Sequence, residues 1–229
     1  MNIIDRPSKY SKEYLKKLFQ YSLGEDIANA VTHTVGSFFG LYALITLSWI
    51  SGHYGNWLDS FAFIFYGLTL LIMFLMSTLY HSMINHTARS VFKKLDHISI
   101  YVLILGTYTP YIFSLLKTRS AYTVYLILIT MTVLGIIFKT FYAGRFRYFS
   151  TITYLIMGWS AIGLLPQIVH KINIYGLYFL LFGGAMYSIG AIIYAFAKFK
   201  YSHMVWHIFV IFGALFHYIS ITFFILQYR

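Results

Sequence analysis

Seven stretches of this chain carry no Lys, Arg, Asp or Glu, and each is about long enough to cross a lipid bilayer. They are Thr34 to Trp57, Ser60 to Thr87, Ile98 to Leu116, Ser120 to Phe138, Tyr148 to His170, Ile172 to Ala197 and Tyr201 to Tyr228. A helix needs ~20 apolar residues to span a ~30 Å hydrocarbon core. Within that core every backbone N–H and C=O must be satisfied inside the protein. Continuous apolar runs can do this only as helices; a barrel would show short alternating strands. Composition agrees: 59% of residues are hydrophobic and 10% are charged, against ~25% charged in an ordinary soluble domain. The expected fold is therefore all-α, a polytopic seven-transmembrane helix bundle. The spans fall at about 26–51, 58–82, 95–116, 121–143, 149–170, 174–197 and 201–227. Residues 25–229 form the transmembrane domain and 1–24 a basic N-terminal segment. The short connections make successive helices antiparallel neighbours.

Loop charge gives the bundle a direction. Of 17 Lys and Arg, thirteen fall on the side of the N-terminus when the loops are assigned alternately, and four on the other. Lys and Arg concentrate on the cytoplasmic side, so the N-terminus is expected to be cytoplasmic. The net charge of +11 then faces anionic lipid headgroups. Nucleic acid is not an expected partner, because no basic soluble domain is present to bind it. Tyr10, Tyr14, Leu15 and Leu18 share one helical face amid Lys9, Lys12, Lys16 and Lys17. This suits a short interfacial helix; a disordered basic tail is an equal alternative. With no cysteine, disulfides and thiolate metal sites are excluded. The N-terminus lacks the small-residue cleavage site of a secretory signal, so the first span is expected to stay.

Ionisable groups inside spans are costly and mark function. Here they gather. His203 and His207 stand four positions apart at the start of span seven, which puts both imidazoles on one helical face. His81 ends span two and Asp96 opens span three. Antiparallel topology brings the end of span two and the starts of spans three and seven to one membrane depth. Three imidazoles and a carboxylate at one level suit a tetrahedral Zn²⁺ whose fourth position is open to water. Each residue has a plain alternative. Asp96 could pair with Lys93 or Lys94, or cap its helix, and His81 could sit among headgroups. Their coincidence at one depth favours a shared site.

Other polar residues fit this picture less directly. Glu25, Asn29, Thr32 and His33 form a stripe entering the bundle from the same end, read as supporting or structural. His97 points about 100° away from Asp96. His53, His86 and His170 read as solvated, and His217, ~21 Å from His203 along the helix, as a buried hydrogen-bonded residue. Pro110 is expected to kink span three. The runs Gly183-Gly184-Ala185 and Gly213-Ala214 suit close helix contacts.

The segments Glu25-Asp-Ile-Ala-Asn29-Ala-Val-Thr32-His33, Ser77-Thr-Leu-Tyr-His81, Leu95-Asp96-His97, Gly106-Thr-Tyr-Thr-Pro110 and His203-Met-Val-Trp-His207 together resemble the hemolysin III family. That family is the bacterial branch of the progestin and adipoQ receptor group, which includes the adiponectin receptors. The resemblance implies a multi-pass protein of the bacterial plasma membrane. It implies a zinc held by His81, His203 and His207, with Asp96 and Ser77 holding the zinc-bound water, and kinship with membrane ceramidases. Three functions follow as expectations. The first is a zinc-dependent hydrolase of a lipid amide or ester, with membrane lipid as substrate. The second is a non-enzymatic, receptor-like regulator of lipid homeostasis with a structural zinc. The third is a pore-forming hemolysin, for which the chain offers no charged ring along a channel face.

Overall fold

The computed structural model describes residues 18–226 of the 229. Among them seven helices are long and apolar enough to cross a membrane. We label them α1 (Leu23–Tyr54), α2 (Trp57–Ser82), α3 (His86–Leu116), α4 (Arg119–Tyr142), α5 (Arg147–Lys171), α6 (Ile174–Phe196) and α7 (Ser202–Phe224). No strand occurs among the described residues. The expected interfacial helix in the N-terminal segment lies almost wholly outside them.

Local chemistry sets where the helices begin. Ser22 caps α1, and the Glu25 side chain returns to the Ser22 backbone, forming a capping box. Asn56 and Asp59 do the same for α2. Asn85 accepts from the N–H groups of Thr87 and Ala88 and so starts α3 nine residues before the expected position. Arg89, Lys93 and Lys94, read from the sequence as a loop, are therefore helical. Arg89 and Lys93 are buried.

The membrane reverses the usual distribution of apolar residues. Phe38, Ile45, Leu126, Leu134 and Phe141 are exposed on the outer faces, where lipid replaces water as solvent. Leu47, Phe63, Tyr66, Leu70, Phe74 and Ile112 are fully buried. With apolar groups both inside and out, helices associate through close packing and polar contacts rather than hydrophobic burial. Gly40 illustrates the first: a Cβ there would lie 2.8 Å from Leu71 Cα of α2. Gly183 of α6 likewise leaves room for the His217 ring of α7, so the expected small-residue contact is present.

α1 packs along α2, α2 along α3, α6 along α7, and α7 closes against α1. Successive helices are neighbours as expected, most loosely between α4 and α5. α5 meets α4 near its two ends, where Phe149 packs on Phe138 and Gln167 donates to Ser120, and it also leans on α3 and α6. It is also broken: residues Ser160–Leu164 form a 3-10 turn ahead of Pro166. Tyr108 of α3 pegs this break. Its hydroxyl donates to the Gly158 carbonyl (2.6 Å) and accepts from the Ala161 N–H (2.7 Å). Pro110 distorts α3 as its missing N–H requires, and the helix continues as a π-turn over Tyr111–Leu116. The Lys171 ammonium donates to the Leu116 carbonyl (2.8 Å) exposed at the end of that turn. The result is a chamber of about 410 Å³ bordered by α3, α5, α6 and α7.

Candidate metal centre

The polar residues gather at the end of the bundle where α1, α3 and α7 begin and α2 ends. His81, in the last turn of α2, has Nδ1 2.9 Å from Asp26 Oδ1. A carboxylate accepts, so Nδ1–H donates and Nε2 keeps its lone pair. His207 follows the same logic: Nδ1 is 3.3 Å from the Asn29 carbonyl oxygen, which can only accept. His203 lies one turn earlier on the same face of α7. Its ring is held by Tyr21 (4.7 Å between centroids) and Trp206 (4.8 Å). The Nε2 atoms of all three histidines are buried without a hydrogen-bond partner. Each ring offers a ligand nitrogen, and these nitrogens lie within 4.8 Å of one another. Three orphaned imidazole acceptors converging in a membrane interior would be a heavy cost without a ligand. They fit a metal ion.

The support for this triad extends outward. Arg89 grips Asp26 through two short contacts (2.8 and 2.7 Å). Its other N–H groups reach the carbonyls of Leu18 and Met83, and its guanidinium stacks on Phe19 and Tyr80. The chain Arg89–Asp26–His81 fixes the His81 tautomer and aims Nε2 inward. Carboxylates play this role behind metal-binding histidines generally, and their loss costs 10–100-fold in affinity. Replacing Asp26 by Asn is expected to weaken metal binding by about that factor, read by competition with a chromogenic chelator. Unchanged affinity would show that Asp26 serves Arg89 alone.

Asp96 is buried but stands outside the ligand triangle. Ser77 lies beside its carboxylate, and the Ser77 hydroxyl has no hydrogen-bond partner of its own. His97 Nδ1 is 3.5 Å from Asp96 but only 2.7 Å from the Lys93 carbonyl, which accepts its hydrogen bond. His33 stacks on His207 with centroids 3.5 Å apart and belongs to no ligand set. His217 is buried with Nε2 on the Leu180 carbonyl, while His53, His86 and His170 are exposed.

The sequence reading of the α1 stripe needs one correction. Its buried members are Asp26, Asn29 and His33. Glu25 is only half-buried and is occupied at the helix cap and the Tyr201 N–H, and Thr32 bonds back to its own helix at Ala28. The spacing 26, 29, 33 was available in the sequence as an i, i+3, i+7 face. Arg89 escaped notice because it reads as loop charge.

Comparison with known proteins decides the relationship. The family model described as haemolysin-III related matches residues 21–218. The chain belongs to the haemolysin-III related family. It is 36% identical to "Hemolysin-3" of Bacillus cereus over 214 residues, covering 93% of this chain and 97% of the relative. It is 36% identical to the "Hemolysin-3 homolog" of Bacillus subtilis (strain 168) over 194 residues, covering 85% and 91%. Similarity reaches the human "Monocyte to macrophage differentiation factor", at 27% over 168 residues, 68% of this chain and 67% of that one. This haemolysin-III related chain is thus a multi-pass protein of a bacterial cell membrane. Its histidine cluster is one that could hold a metal ion.

Proposed function

We propose that the protein is a zinc-dependent hydrolase of a membrane lipid amide or ester, working at the cytoplasmic side. The observation that carries this reading is the position of Asp96. It is set beside the three-histidine cluster and also lines the apolar chamber between α3, α5, α6 and α7. Leu103, Ile104, Leu165, Leu181 and Val210 line the same chamber, giving a lipid chain a dry place to lie.

His81, His203 and His207 would hold the zinc, which supplies a Lewis acid and lowers the pKa of bound water to about 7. Three protein ligands leave a position open, the pattern of catalytic rather than structural zinc. Asp96 accepts the proton of the attacking water and later returns it to the leaving group. Ser77, whose hydroxyl is otherwise unengaged, donates to the oxygen on which negative charge develops. The Arg89–Asp26 pair keeps His81 oriented throughout.

The test is direct. Purified protein in lipid nanodiscs is given N-acyl and O-acyl lipids, and released fatty acid is measured by mass spectrometry. Release is expected to stop on treatment with a strong chelator and to return on addition of Zn²⁺. Release that survives complete removal of metal would overturn the proposal.

A further inference from the structure

A second, smaller pocket meets the chamber at Asp96. The two share Asp96, Ile100, Tyr154, Ala191 and Trp206 as a common wall. They differ in chemistry. The chamber is almost wholly apolar, whereas the smaller pocket is lined by Lys139, Tyr21, Ser150, Thr151, Tyr194 and His203. Asp96 therefore stands at the junction of an apolar space and a more polar one.

Lys139 is the unusual member. It belongs to α4, is 1% exposed, and ionisable groups at membrane depth are expensive enough to imply a partner. Among the described residues no carboxylate lies within 4.0 Å of it. Asp96 is its nearest electrostatic counterpart, and Asp96 also faces Lys93. The hydroxyls of Ser150 and Thr151 donate to carbonyls of their own helix, so they cannot serve as donors to a ligand. Tyr21 also lines the pocket, and its hydroxyl can donate. The donors of this pocket suit an acceptor-rich anion.

We propose that the small pocket is an anion subsite in which Lys139 holds the charged headgroup of an amphiphile whose chain occupies the apolar chamber. The ligand class is a single-chain lipid with a carboxylate or phosphate a few bonds from its acyl carbonyl. The carbonyl then lies across Asp96, between tail and head. This deepens the hydrolase reading and rests on it for the placement of the carbonyl. The anion preference itself is read by binding alone, so a protein that binds without cleaving leaves the subsite standing.

The experiment compares matched ligands on the full-length protein by displacement of a fluorescent fatty acid. N-palmitoylglycine is set against N-palmitoylethanolamine, and palmitoyl lysophosphatidate against monopalmitoylglycerol. Wild type is expected to prefer the anionic member of at least one pair by roughly tenfold, the worth of a buried charge-assisted hydrogen bond. The preferred pair tells carboxylate from phosphate. In Lys139→Met and Lys139→Gln the preference is expected to collapse to about unity, and Lys139→Arg to keep most of it. No preference in wild type in either pair overturns the proposal without any variant. So does a preference that persists in the Met and Gln variants, or a fall in both ligands alike, which would make Lys139 only a counter-charge to Asp96.

Discussion

Replacing His81 and His207 together by alanine is expected to bring bound metal from about one ion per chain to background. The two residues come from different helices, and each has its Nδ1 already committed, to Asp26 and to the Asn29 carbonyl. Each therefore offers one nitrogen, and His203 alone cannot retain an ion. A single replacement leaves two imidazoles and is expected to weaken binding without abolishing it. The double variant keeps the Arg89–Asp26 pair, whose short contacts do not involve the ring of His81. The bundle should therefore remain helical by circular dichroism while elemental analysis shows the ion gone. Metal retained in full by the double variant would refute the three-histidine assignment. It would redirect attention to His33, which stacks on His207 and has both ring nitrogens unpartnered.

The parts legible in the sequence were those set by long periodicities and by topology. Seven uncharged runs imposed seven helices, and alternation of direction put His81, Asp96, His203 and His207 at one end before any contact was known. What escaped was set by single residues. Moving from Glu25 to Asp26 turns about 100° around a helix, enough to exchange a cap for the carboxylate behind His81. Asn85 as a cap drew nine more residues into α3 and carried Arg89 from an apparent loop into the site. The loop tally that oriented the bundle also hid Lys139, because a count of basic residues does not distinguish a solvated lysine from a buried one. The chamber was beyond reach for a different reason. It is bordered by α5, and α5 carries a 3-10 break held by Tyr108 across some fifty residues of sequence. The Gly106-Thr-Tyr-Thr-Pro110 segment drew notice for its proline, while its tyrosine does the work of shaping the cavity.

Asp96→Asn is expected to retain metal and lose lipid turnover by about 10²- to 10⁴-fold, the usual worth of a positioned general base. The substitution changes almost nothing in shape. Asparagine fits the same space but cannot take a proton. Because Asp96 lies outside the triangle of ligand nitrogens, metal stoichiometry should be unchanged, which separates a chemical role from a structural one. Ser77→Ala is expected to act in the same direction and less strongly, since it removes one donor to a developing charge and leaves the base in place. Equal turnover by wild type and Asp96→Asn, with metal bound in both, would take the proton-transfer role from Asp96. It would also favour a metal that ties α2 to α7 and a protein that senses lipid rather than cleaving it. The two outcomes differ physically in whether the buried carboxylate is there to change its protonation state during a reaction or to offset the charge of Lys93 and Lys139 at rest.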